Sequence, residues 1–129
     1  MATGITIVGI DAALRGLRGT RAALMPAFER ALQAEGEAVF ARTQELVPVD
    51  TTALQKSGVL HKPEIAGARA SIAISYGDEQ VDYALAVHED LAAKHAPGKS
   101  AKYVEIPVVE AAKGMAARVG ARVAREIGG

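Results

Sequence analysis

The chain has 129 residues, a length typical of one domain, and we treat 1–129 as a single unit. Its 15 basic and 15 acidic residues cancel, which argues against a protein whose main task is to grip nucleic acid. Cysteine is absent, which excludes disulfides, thiolate metal sites and cysteine nucleophiles.

The N-terminal part of the chain predicts a strand followed by a short helix. Residues 5–10 are rich in β-branched side chains, which favours a strand. Asp11 is a suitable N-cap for the helical stretch that follows, in which Leu14 and Leu17 are three residues apart.

A long amphipathic helix is predicted over 22–47. Pro26 has no N–H to donate, so we expect it in the first turn or at a break. Pro48 should end the helix, because the residue before a proline disfavours helical geometry. One face carries the residues expected in the core: Phe28, Leu32, Gly36, Val39, Phe40, Thr43 and Leu46.

The middle of the chain predicts turns and short strands. Asp50, Thr51 and Thr52 can each cap a helical turn, which is followed by a strand near 57–62 and a loop over 63–67. Residues 68–76 alternate, with Ala68, Ala70, Ile72 and Ile74 on one face, which predicts a half-buried strand.

The remaining part of the chain predicts a turn, an ambiguous segment, a loop and a final helix. The turn lies at 77–79, and residues 81–89 fit either a strand or one helical face. A loop is expected over 92–100 and a helix over 101–127, with Pro107 in its first turns. The apolar stripe of this helix contains Val104, Val108, Ala112, Met115, Val119, Val123 and Ile127.

Two groupings of polar residues are candidate enzyme sites. His88, Glu89, Asp90 and His95 offer ligands for a divalent ion, so a small metal-dependent hydrolase or nuclease is the alternative from another functional class. Their spacing matches no helical zinc motif. Ser57, His61 and Asp50 lack the sequence context of a hydrolase triad, and local backbone capping explains Asp50 and Ser57 better. We therefore predict no catalytic residue, metal or cofactor, and a protein that is not an enzyme.

Three short motifs follow one another along the chain. The matching residues of the first are Pro48, Val49, Asp50, Thr51, Leu54 and Ser57. Those of the second are Tyr83, Ala84 and Glu89, and those of the third are Lys102, Tyr103, Val104, Glu105 and Pro107. In this order, over roughly 25–112, the chain resembles the gene-product-ten-like tail-component family of lambdoid long-tailed bacteriophages. Thr52 stands where the family commonly has glycine, which argues against a tight turn with positive φ there.

The resemblance implies both a fold and a role. The fold is a small α/β (α+β) domain, with an antiparallel or mixed sheet of roughly three or four strands packed by one long helix and a C-terminal helix. The role is that of a virion structural protein at the head–tail junction, a neck or tail-completion component that joins the connector to the tail by ring assembly. A tail-terminator ring subunit is the alternative within the same machine. The expected partners are further copies of the chain and other phage neck and tail proteins.

Composition and charge placement are compatible with assembly. Much of the apolar content is alanine, which buries little area, so we expect neighbouring copies to add stability. Residues 78–90 contain five acids and no lysine or arginine, whereas Arg118, Arg122 and Arg125 form a basic stripe on the last helix. Opposite patches favour head-to-tail contacts, which close into a ring when the rotation permits.

The stripe has two further interpretations, namely a solvated face and a surface in transient contact with genomic DNA. The full set of candidate interface residues is Asp50, Thr51, Ser57, Tyr83, His88, Glu89, Tyr103, Arg118, Arg122 and Arg125. Tyr83 and Tyr103 are equally compatible with core positions. No secretory leader or membrane span is predicted, so we expect synthesis in the host cytoplasm and incorporation into the virion.

Overall fold

The computed structural model describes residues 2–47, 55–76, 93–95 and 102–128. Within these ranges a sheet is combined with one long helix and three shorter ones, and residues 55 and 56 are also helical. In chain order the elements are β1 (Ala2–Val8), α1 (Ile10–Ala13), α2 (Arg21–Leu46), β2 (Val59–Leu60), β3 (Glu64–Ala66), β4 (Arg69–Ser75), β5 (Ala93–His95), α3 (Lys102–Ala112) and α4 (Met115–Gly128). None of the helices in these ranges is long and apolar enough to cross a membrane.

The strands form one antiparallel sheet in the order β2–β4–β1–β5. β3 pairs with the same edge of β4 as β2 does, so the sheet is four strands wide. The prediction of a small sheet packed by a long helix and by C-terminal helical structure is confirmed.

One face of the sheet carries the core. Ile5 pairs with Ile72 and Ile7 pairs with Ala70, and all four side chains are buried. Since side chains alternate along a strand, these residues share one face. Gly36 of α2 lies directly against the Ile72 side chain, so the long helix packs on this face.

The opposite face is small and polar but is less exposed than its alternating pattern predicts. Thr6 Oγ1 lies 3.2 Å from Ser71 Oγ across the β1–β4 pair. Ala73 and Ser75 on β4 are buried, and His61 Nε2 lies 2.8 Å from Ser75 Oγ. The strand and its apolar face were therefore predicted correctly, while the other face is buried at Ser75, which His61 helps to cover.

The first turn of the chain corrects two expectations. β1 ends at Val8 rather than at residue 10, because Gly9 adopts φ 83° and turns the chain. Gly9, not Asp11, is the N-cap of α1, and Asp11 lies in its first turn. The backbone N–H groups of Gly9 and Ile10 both donate to the carbonyl of Ala68, at 2.9 Å each, which fixes the turn on the sheet.

Helix α2 has largely the predicted bounds and face. It begins after Thr20, whose hydroxyl accepts the N–H of Ala23 at 3.1 Å, a cap that the sequence analysis missed. Pro26 lies in the second turn, exposed and without a break in the helix, which corrects its expected place. Val47 is extended before Pro48, as predicted, whereas Leu46 is 49% exposed rather than in the core.

The C-terminal helix is interrupted, which corrects the prediction of one helix over 101–127. Gly114 adopts φ 73° between α3 and α4, a conformation that favours glycine and ends a helix. The apolar stripe continues across the break and is buried from Val104 to Val123, while Ile127 is 40% exposed.

Two predicted loops contain strands. Residues Glu64–Ala66 form β3, which joins β4 through a turn in which Gly67 has φ 58°. Ala93–His95 form β5, which pairs with the centre of β1. Both strands have three residues, too few for an alternating pattern to be recognised in the sequence.

Candidate assembly surface

Several residues that the sequence nominated lie outside the described ranges. These are Asp50, Thr51, Tyr83, His88, Glu89 and Asp90. Three predicted segments also lie outside the described ranges: the capping turn near 50–54, the turn at 77–79 and the ambiguous segment 81–89. Of His95, only the backbone is described, as part of β5. Within the described ranges no three acidic or histidine side chains are grouped to hold a metal ion.

The histidine considered for a triad is engaged with a neighbouring strand. His61 Nε2 lies 2.8 Å from Ser75 Oγ on β4, and its backbone N–H donates to the carbonyl of Ala73 at 2.9 Å. Burial lowers the pKa of His61, although Glu64 opposes this effect. Ser57, which was considered with His61 and assigned to backbone capping instead, is half-buried just before β2. The described contacts of His61 are thus those of a residue that fastens β2 to β4.

Tyr103 contributes to an aromatic cluster on the core. Its ring meets that of Tyr76 edge-on, with centroids 5.5 Å apart, and Tyr76 stacks on Phe40 at 6.2 Å. The Tyr76 hydroxyl lies 2.8 Å from Thr43 Oγ1 and accepts the side-chain N–H of Gln44 at 2.7 Å. Burial raises the pKa of the half-buried Tyr103, as does the neighbouring Tyr76. The structure therefore places Tyr103 against the core of its own chain.

Two arginines of the predicted stripe converge on one carboxylate. Glu35 of α2 has a side chain only 9% exposed. Arg118 Nε donates to its Oε1 and Arg122 Nε donates to its Oε2, both at 2.6 Å. Burial by itself would raise the pKa of Glu35, but the two hydrogen bonds and the positive charges overcome this and hold the pKa below its ordinary value. The carboxylate is therefore charged and joins α2 to α4.

Arg118 also closes the break between α3 and α4. Its two terminal nitrogens donate to the backbone carbonyls of Lys113, at 2.6 Å, and of Ala111. Carbonyls at the end of a helix have no partner within the helix, and a guanidinium satisfies them well. One side chain thus caps α3 and anchors α4 to Glu35.

Further ion pairs line the same seam between the helices. Arg42 of α2 meets Glu110 of α3 at 2.6 Å, and Arg30 of α2 meets Glu126 of α4. The hydrogen bond from Arg30 lowers the pKa of Glu126. These pairs flank Glu35 on both sides, so that the antiparallel helices are joined along their length.

Arg125, the third arginine of the stripe, lies differently. It is exposed on the last turn of α4 and forms no ion pair with any residue of the described ranges. It lines an open groove of about 340 Å³ between α2 and α4. We call this feature the arginine groove: its floor is Ala27, Ala31 and Ala34, and its rim is Arg122, Arg125 and the Arg30–Glu126 pair.

The sequence contains a signal that points to Glu35. Glu35 is three residues after Leu32 and four before Val39, which places an acid beside the apolar face of α2. An acid in that position requires a buried partner. Arg118 and Arg122, four residues apart on another helix beside its apolar stripe, are matching candidates.

Comparison of the chain with protein-family models, with curated proteins and with solved structures gave no match.

Proposed function

We propose that this chain is a structural subunit of a bacteriophage neck or tail, which assembles into a ring at the head–tail junction and joins the connector to the tail. The supporting observation is the order of the described elements around the motifs. α2 ends at Leu46, directly before the motif that starts at Pro48, and α3 begins at Lys102, the first residue of the third motif. Long helix, strands and final helix follow in the order that the family resemblance implies.

The third motif has a clear structural use in α3. Val104, Pro107 and Val108 are buried, while Tyr103 packs on Tyr76. Val108 also contributes to the interface with the sheet, beside Ile5 and Ile72. A motif of this kind positions a helix on a sheet, which supports a scaffold role for the domain.

The polar contacts of the described residues also support assembly rather than catalysis as the mode of action. Arginine–carboxylate pairs join the helices, and the His61–Ser75 contact joins two strands. Such contacts hold a rigid subunit, and a rigid subunit loses less conformational entropy when it binds its neighbours.

The test is the position of the protein in the particle. In the phage or prophage that encodes the chain, disruption of its gene should yield separate heads and tails in electron micrographs. Expression of the chain from a plasmid should restore joined particles. A cryo-EM map of joined particles should then show a ring of this fold between the connector and the tail tube.

Other outcomes would overturn the proposal. Normal joined particles without the gene would remove the role altogether. Density for the chain at the distal side of the junction, capping the tail tube alone, would make it a tail-terminator subunit instead.

A further inference from the structure

The arginine groove is open to solvent and has a mixed surface. Three alanines of α2 form an apolar floor, and guanidinium groups from both helices stand at the rim. Its volume of about 340 Å³ is at the small end of ligand pockets, which span about 300–1,000 Å³. Such a groove accepts a few side chains of an extended segment rather than a whole helix.

The groove retains positive charge after its internal pairs are counted. Arg30, Arg122 and Arg125 line it together with the carboxylate of Glu126, and Arg122 also contacts the carboxylate of Glu35, which it shares with Arg118. The lining itself therefore carries three positive charges and one negative charge. Arg122 uses only its Nε toward Glu35 and is 38% exposed. Arg125 has no ion pair within the described ranges. The excess is therefore carried by groups that are accessible from outside.

We propose that this groove binds the acidic segment 78–90 of a second copy of the chain, an inference that rests on the proposed ring assembly. The segment contains Asp78, Glu79, Asp82, Glu89 and Asp90 without any lysine or arginine. Val81, Leu85 and Val87 lie between these acids. Acids complement the guanidinium rim and aliphatic side chains complement the alanine floor.

The same observations favour a peptide over nucleic acid. A duplex presents phosphates and offers nothing to an alanine floor, and the chain as a whole has no net charge. Each copy carries one groove and one acidic segment. Such a head-to-tail contact leaves a free groove and a free segment at the ends of any open chain, and both are used when a ring closes.

Arg125→Glu is the variant that tests the groove. The change breaks no ion pair of the described ranges, and Arg18→Glu, at another exposed arginine, is the matched control. Self-association of the full chain, measured by sedimentation velocity over a concentration series, should weaken about tenfold or more in Arg125→Glu. It should remain at the wild-type level in Arg18→Glu and in Arg125→Lys. Far-UV circular dichroism establishes that each variant is folded.

Charge exchange identifies the occupant. Glu89→Arg should weaken association as Arg125→Glu does, and a mixture of these two single variants should recover association, because the groove of each variant then meets a segment of opposite charge on the other variant. The double variant Arg125→Glu with Glu89→Arg should recover it, since every contact again joins opposite charges.

Each contrary result has its own meaning. Wild-type association by a folded Arg125→Glu chain would overturn the groove while leaving the ring proposal intact. A lower melting temperature of Arg125→Glu with unchanged association would assign the groove to the chain's own acidic segment. Unchanged association with loss of binding to a short DNA duplex would assign it to nucleic acid. A wild-type chain that stays monomeric throughout and is missing from the particle would overturn both proposals.

Discussion

Thr3 on β1 has a buried hydroxyl that finds no hydrogen-bond partner among the described residues. It borders an internal cavity of about 10 Å³, beside Ile5 and Val108. A buried hydroxyl without a partner costs about 1–3 kcal/mol, and valine has nearly the same shape without it. Thr3→Val should therefore increase the free energy of unfolding by about 1 kcal/mol in urea denaturation.

Thr6 is the matched control on the same strand. It is equally buried, but its hydroxyl lies 3.2 Å from Ser71 Oγ, so Thr6→Val should not stabilise the protein. If Thr3→Val instead destabilised the protein, the hydroxyl would have to be satisfied in solution, for example by an internal water.

Gly36 shows how closely α2 approaches the sheet. A Cβ added there would lie 2.7 Å from Ile72 Cγ1 and 3.3 Å from Leu60 Cδ1. Alanine gains about 1 kcal/mol in helix propensity over glycine, but overpacking a core costs about 1–3 kcal/mol. Gly36→Ala should thus lower the free energy of unfolding by about 1 kcal/mol, as measured by thermal or urea denaturation.

The control for this substitution is Gly128→Ala, at the end of α4. No atom lies within 4 Å of the added Cβ there, so its stability should be close to that of the wild type. A higher melting temperature for Gly36→Ala would show that the helix can move away from the sheet without cost.

At the scale of elements, the sequence predicted what long periodic patterns encode. The core face of α2 from Phe28 to Thr43 and the apolar stripe from Val104 to Val123 are confirmed, because both follow a helical repeat over several turns. The break at Gly114 does not shift the stripe, so periodicity alone gave no reason to divide the helix. Gly114 permits the break through its positive φ, and Arg118 stabilises it by capping α3 while it binds Glu35.

The junction of α2 with α4 predicts a pH dependence of stability. Because the pKa of Glu35 is depressed in the folded protein, its charged form stabilises the fold above the ordinary carboxyl pKa, about 4.5. That contribution is lost as the pH falls through the lower folded pKa. The free energy of unfolding should decline below about pH 4.5 partly because Glu35 becomes protonated.

Glu35→Gln isolates this contribution. Glutamine keeps the size of the side chain but not its charge. A hydrogen bond to a charged group contributes about 1.5–3 kcal/mol, so we expect Glu35→Gln to lower the free energy of unfolding by about 2 kcal/mol at pH 7. Urea denaturation of both proteins between neutral and acid pH should show that the difference narrows as the pH falls. A difference that stays constant with pH would show that Glu35 does not titrate in this range. Glu110→Gln, at the exposed pair with Arg42, should lower the free energy of unfolding much less than Glu35→Gln does.

At the scale of the whole molecule, what the sequence predicted of the candidate site was its charge and not its contacts. The spacing of the basic stripe is visible in the sequence. Only the fold shows that Arg118 and Arg122 both bind Glu35, whereas Arg125 does not. The alanine floor of the groove was equally hidden, because Ala27, Ala31 and Ala34 become a surface only where α4 packs beside them. Contacts between residues that are far apart in sequence cannot be derived from the pattern of either helix alone.

An alanine-rich chain that completes its stability by assembly should melt at a temperature that depends on its concentration. Neighbouring copies bind the folded state and not the unfolded one, so each tenfold increase in concentration above the dissociation constant of the assembly adds about 1.4 kcal/mol per subunit. For a domain of 129 residues this corresponds to a rise of about 5 °C in the calorimetric melting temperature. The contacts proposed for the arginine groove are charged and exposed at the rim. Added salt should therefore reduce the dependence of the melting temperature on protein concentration. Arg125→Glu should reduce this concentration dependence already at low salt, whereas Arg18→Glu should leave it unchanged. A melting temperature that is the same at all concentrations would mean that each subunit is held by its own core alone.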